Sequence, residues 1–229
     1  MEYLLEVIAY NIDCCIAIEK AGAGRIELCS NPAAGGTTPS YGFIKHSRTL
    51  VTTDLYPMIR PRGGHFVYSP LEFEVMRSDV MFCRDAGCDG IVTGILTPDG
   101  KVDIEKMKIL VELASPLGVT FHRAFDRASD PFQALEDIIS CGCERILTSG
   151  QQENALRGSD LLHDLINKAG ERIVIMPGGG IRSNTLSELI GKTGAVEFHT
   201  SALSPGQNDN AMIDENELAA MMQIINSYG

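Results

Sequence analysis

Eight apolar, β-branched runs recur along the 229-residue chain, and most of them end in a polar or charged cluster. They read LLEVIAY from Leu4, RIELCS from Arg25, LYPMIRPRGG from Leu55, GIVTGI from Gly90, VTFHRAFD from Val119, ERILTSG from Glu144, RIVIMPGGG from Arg172 and AVEFHTSA from Ala195. Stretches of helical spacing separate them, so the strands must run parallel through crossover connections. Eight such units on a chain of this length predict an α/β fold, a TIM-type (β/α)8 barrel in a single domain. The domain spans 1–229, with the barrel core over about 3–202 and a C-terminal tail and helix over 203–229. In that architecture function gathers where the strands end.

The hydrophobic fraction of 44% is that of a globular chain. No apolar run approaches the roughly 18 residues needed to span a bilayer. Glu2 stands where a secretory leader carries its positive end, so a cytoplasmic location is expected. The formal net charge of −11 opposes binding to nucleic acid, whose affinity comes from Lys and Arg neutralising phosphates. Seven cysteines is an odd number for a disulfide framework, and reduced thiols are expected. The expected partners are therefore a small ligand or ion, with a homodimer or higher homo-oligomer left open.

Local signals place the helices. Asn11 caps a helix that Gly22-Ala23-Gly24 closes, and Ser69-Pro70 opens one through about Ala86. Asp103–Ala114, Asp130–Cys141 and Glu153–Ala169 read as three further amphipathic helices, and Ser183–Ile190 as a shorter one. The segments Asn31–Gly42 and Arg60–Ser69 are too rich in turn formers for regular structure and read as ligand-binding loops. A polar tail over Ser204–Asn210 precedes a last helix, Asp214–Tyr228.

Within a strand, successive side chains point to opposite faces, so parity assigns the barrel interior. Ile26 and Leu28 face the helices, which turns Glu27 and Cys29 inward. The same rule sends Glu197 and His199 inward on the last strand, and Thr120, His122 and Asp126 on the fifth. Glu6 and Arg60 join them, giving a mouth of Glu6, Glu27, Arg60, His122 and Glu197 with Cys29 and His199 near. Buried ionisable groups are costly unless paired, and such clusters mark functional sites more often than structural cores. The competing reading is an internal salt-bridge network.

Two further signals concern anions. Gly178-Gly179-Gly180 follows the seventh strand, with Ile181 and Arg182 leading to a cap-like Ser183. With Thr200 and Ser201 after the eighth, this is where barrels often hold phosphate. The alternative is a tight turn. Arg60 and Arg62 sit on a glycine-bearing loop and suit carboxylate or phosphate, unless they pair with the mouth carboxylates; Arg123 has the same two readings. For metals, His122, His199, Glu27 and Glu197 offer nitrogen and oxygen to a divalent ion, whereas Cys29 with a Met suits Cu(I).

The motifs ELCSNPAAGGTTPS (Glu27–Ser40), IRPRGG (Ile59–Gly64), FVYS (Phe66–Ser69), VTGILTPDG (Val92–Gly100), TFHRAFD (Thr120–Asp126), RILTSG (Arg145–Gly150), MPGGGI (Met176–Ile181) and EFHTSA (Glu197–Ala202) together strongly resemble the CutC family. The resemblance covers nearly the whole chain up to Ala202, in order. It implies a TIM-type barrel, a cytoplasmic location and copper homeostasis, with Cu(I) as the bound ion and Cys29 as a metal ligand. In members said to bind copper, a second thiol follows the glutamate matched by Glu6. Here Ile8 and Ala9 occupy that place.

Two functions are therefore expected in competition. One is a metal-handling protein of copper homeostasis. The other is an enzyme on a small anionic or phosphorylated substrate, with the GGGIR loop, Thr200 and Ser201 on the anion, and Arg60 orienting it. His122, Glu27 and Glu197 would then act as acid and base, supported by Glu6, Arg123, Asp126 and His199.

Overall fold

The computed structural model describes residues 3–204 and 212–229. Strand and helix alternate throughout. The strands are β1 (Leu4–Ala9), β2 (Arg25–Leu28), β3 (Asp54–Pro57), β4 (Gly90–Thr93), β5 (Gly118–Phe121), β6 (Arg145–Thr148), β7 (Val174–Pro177) and β8 (Glu197–Thr200). The helices between and after them are α1 (Ile12–Ala21), α2 (Tyr41–Leu50), α3 (Pro70–Asp85), α4 (Ile104–Ala114), α5 (Pro131–Cys141), α6 (Ser159–Ala169), α7 (Ser183–Thr193) and α8 (Glu215–Tyr228).

Two parallel four-stranded sheets, ordered β3-β2-β1-β8 and β4-β5-β6-β7, meet at both seams. Single bridges, Met58 to Val92 and Gly178 to His199, join them, and the sheet closes into a (β/α)8 barrel. The main apolar core lies between barrel and helices, where Ile26, Leu28, Phe121, Phe125 and Phe198 are buried as their parity requires. Helix α8 packs against α1, α7 and β1, so it completes the outer wall. No helix among the described residues is long and apolar enough to cross a membrane.

Most helix starts follow the side-chain caps. Asn11, Ser69, Asp103, Asp130 and Asp214 each accept a first-turn amide, and Ser69 forms a capping box with Glu72. Three boundaries differ from the sequence reading. The segment Asn31–Gly42 contains a 3-10 turn at Pro32–Ala34, and α2 starts inside it at Tyr41 because Ser40 Oγ accepts the Phe43 amide. Helix α7 runs on to Thr193, with Arg182 rather than Ser183 at its cap position. The expected polar tail lies, from residue 205 on, outside the described residues.

The largest difference is at α6, which begins at Ser159 and not at Glu153. Gly150 and Gly158 bring two backbone segments together here. A Cβ on Gly158 would run into the Ser149 carbonyl and stand 2.9 Å from Gly150 Cα. A helix through Glu153–Gly158 would break that contact. Gly158→Ala is therefore expected to destabilise the fold by about 1–3 kcal/mol, the range for overpacking, read as a lower midpoint in urea unfolding.

Candidate active site and metal centre

The barrel interior is layered. At the floor, the first residues of β2, β6 and β8 converge: Arg25 Nη1 lies 2.9 Å from Glu197 Oε2, and Arg145 Nε 2.5 Å from the same oxygen. The Tyr56 ring fills the space beside them, 5.0 Å from the Arg25 guanidinium and 5.7 Å from that of Arg145. Gly118 makes room for it, since a Cβ there would lie 2.5 Å from the Tyr56 hydroxyl. Glu197 is thus part of the floor and not of the mouth. It holds two buried cations and does not line the cavity at the strand ends. Parity points it inward and carries no information on its depth.

One layer higher, Glu6 is fully buried between Arg25, 3.3 Å away, and His199, whose Nδ1 is 2.7 Å from Glu6 Oε1. His199 Nε2 in turn faces Glu27 Oε2 at 3.8 Å. One ligand atom from each of Glu6, Glu27 and His199 lies within 4.8 Å of the others, a spacing that can hold a metal ion. Burial opposes the His199 charge, yet Glu27 and Glu6 raise its pKa overall. Burial likewise works against the Glu6 carboxylate, but His199, Arg25 and Arg145 keep its pKa below the usual range. Glu27 lacks such support. Burial, with Glu6 beside it, pushes its carboxyl up to about 7 against the pull of His199 and the Cys29 thiol, and its Oε1 has no hydrogen-bond partner among the described residues.

Above this layer opens a cavity of about 320 Å³, lined by Glu27, Arg60, His122, Arg123, His199 and the loops after β7 and β8. His122 is placed by a 3-10 turn, Arg123–Arg127, whose Ala124 amide donates to its Nδ1 at 3.2 Å. A neutral imidazole that accepts at Nδ1 carries its proton on Nε2. Gly94 seats the ring, since a Cβ there would lie 2.6 Å from Nδ1. Burial and the nearby Arg60 charge hold the imidazole pKa down at about 3. His122 is therefore set up as a neutral hydrogen-bond donor toward the cavity.

Other expectations divide. Arg60 pairs with no carboxylate among the described residues: its guanidinium donates to the carbonyls of Ala34, Gly36 and Gly64 and lies over the Phe66 ring. It clasps two loops together. Asp126 sits on the rim, accepting from Thr148, Ser149 and Arg123. Thr200 Oγ1 donates to Ile181 O and Gly178 N to Thr148 O, so both are engaged in the scaffold. The N-terminus of α7 is taken too, by Glu217 of α8, which accepts from the Ser183 amide and hydroxyl. Gly179, Gly180 and Ser201 do line the cavity. Cys29 lies just outside it, buried with Ile8, Tyr56, Met58 and Val92, its thiol pKa pushed well up by burial and Glu27.

Sequence reasoning overlooked Arg25 and Arg145 of the floor, Met58 beside Cys29, and Tyr10 and Phe66 of the cavity wall. Arg25 and Arg145 share the parity of Glu27 and Leu147, so alternation alone points them inward; the loop position of Phe66 carries no such signal.

A closed (β/α)8 barrel with a layered ionic interior and a charged mouth defines the class. The CutC family profile matches residues 3–204. A CutC family protein of Chromobacterium violaceum is 49% identical over 212 residues, covering 93% of this chain and 85% of that protein. The copper homeostasis protein cutC homolog of Mus musculus is 47% identical over 219 residues, covering 96% and 80%. The crystal structure described as CutC of Streptococcus agalactiae superposes with a TM-score of 0.82 at 35% identity, over 86% of this chain and 97% of that one. The chain belongs to the CutC family.

Two outcomes follow from the interior. Glu197→Gln strips Arg25 and Arg145 of a shared partner and is expected to cost about 3 kcal/mol in urea unfolding, the range for a broken buried ion pair. For His122, the unfolded chain takes up a proton near the ordinary pKa of about 6.5, well above the folded value of about 3. Its contribution is full above pH 6.5 and lost as pH falls. Acidification from pH 7.5 to 5 should remove on the order of 2 kcal/mol, and His122→Gln should abolish that part of the slope.

Proposed function

We propose that the protein serves copper homeostasis, taking a copper ion as cargo at Glu6, Glu27 and His199. The observation that carries this reading is the convergence of those three donors within 4.8 Å, next to an open cavity. An imidazole nitrogen with carboxylate oxygens suits Cu(II). Cu(I) on Cys29 alone fits less well, because a single buried thiol with a raised pKa is a poor thiolate donor. A soft site here needs Met58, which packs in the same cluster. On this reading the whole chain acts as one domain. Leu71 and Val75, exposed one turn apart on α3, support a homodimer or higher homo-oligomer.

The test is titration of reduced, EDTA-dialysed protein with Cu(II), and anaerobically with Cu(I), against a competing chelator. One equivalent of Cu(II) is expected, with affinity falling more than about tenfold in Glu27→Gln and His199→Gln and unchanged in Cys29→Ala. Loss of Cu(I) binding in Cys29→Ala and Met58→Leu, with no response to the other two changes, moves the cargo to the sulfur pair. Affinity for either ion no better than that of a surface thiol overturns the reading.

A further inference from the structure

The cavity holds a second set of polar groups that the donor cluster leaves unused. His122 is 3% exposed, lines the cavity and is protonated at Nε2, and that Nε2 has no partner among the described residues. Buried donors in folded proteins are almost always satisfied, so one that borders an open cavity is available to an oxygen that arrives with a ligand.

The cations around it give that ligand a sign. Arg60 and Arg182 both line the cavity, and neither pairs with a carboxylate among the described residues. Arg60 is held by backbone carbonyls and Arg182 by the carbonyl of Leu203. Arg123 is oriented by Asp126 at 2.7 Å and Ser149 at 2.9 Å, which lays its Nη1 against Gly179, 3.3 Å from where a Cβ would stand. Arg123 and Arg182 therefore present guanidinium groups at one opening, with the Arg60 charge in its wall, on a chain whose net charge is −11. Such forks match planar or tetrahedral oxygen anions. Ile8, Phe66, Leu147 and Ile181 give the same space apolar walls. At about 320 Å³ it stands at the small end of organic-ligand sites.

We propose that the mouth binds a small organic oxoanion, its charged end between Arg123 and Arg182 beside Gly179 and an oxygen acceptor on His122 Nε2. The site uses none of the three metal donors, so it stands apart from the copper reading. A carboxylate and a phosphate ester share the chemistry that recognises them. Glu217 already fills the amino end of α7, so the anion is held by the guanidinium groups rather than by that helix.

The experiment is isothermal titration of EDTA-dialysed protein with glycerol 3-phosphate and with pyruvate, with the His122 ring followed by ¹⁵N NMR. Saturable binding of at least one probe is expected, with a shift of the His122 Nε2 signal. Arg182→Gln and His122→Phe should each weaken it about tenfold, and Cys29→Ala should leave it unchanged. Preference for glycerol 3-phosphate assigns a phosphate ester and preference for pyruvate a carboxylate. If His122→Phe fails to fold, the wild-type NMR shift and Arg182→Gln decide. The proposal falls if neither probe saturates in the millimolar range, or if binding leaves both the His122 signal and Arg182→Gln unaffected. Metal is absent from this titration and anion from the copper titration, so either proposal can fail alone.

Discussion

The barrel interior is organised around neutralising three carboxylates, Glu6, Glu27 and Glu197, sunk along one axis where an unpaired charge costs several kcal/mol. Arg25 and Arg145 answer the lower two, and both guanidinium groups lie close to Tyr56. The floor is thereby a stable ionic plug in place of the aliphatic layers that usually fill such barrels. His199 answers Glu6 from above. Glu27 is the carboxylate left over: it shares His199 only at 3.8 Å, and its Oε1 has no hydrogen-bond partner among the described residues. The chemical character of the mouth comes from that remainder.

Two histidines on the same cavity have opposite electrostatic settings. His199 stands between two carboxylates, which favour its charged form. His122 stands among apolar rings with Arg60 nearby, which favours its neutral form. One histidine is available to a cation once its proton leaves, and the other to an anion without any proton change. The cavity is in this sense bipolar, acidic at depth and basic at the rim.

How much of this is legible in the sequence depends on whether the signal is local. Strand parity is local, and Glu27, Cys29, His122 and His199 point where alternation sends them. The caps at Asn11, Ser69 and Asp130 are local too. Depth along the axis is not: Glu197 and His199 share a parity, and only the pairing of Glu6 with both Arg25 and His199 across neighbouring strands separates floor from mouth. Arg60 reads as an anion fork until Ala34, Gly36 and Gly64 are folded around it. The tautomer of His122 depends on a turn that begins at the next residue, and the late start of α6 on one backbone resting against another.

The ionic plug has a consequence for traffic. Because Tyr56 and the Arg25–Glu197–Arg145 bridge fill the floor, the cavity is a cul-de-sac with its doorway at the strand ends. Glu6 is fully buried and does not line the cavity, whose wall includes its neighbours Glu27 and His199. The proposed ion donors Glu27 and His199 and the proposed anion groups His122, Arg123 and Arg182 line this one space. If both proposed ligands bind, they would share one doorway, and an anion at the rim would stand between a bound ion and the solvent.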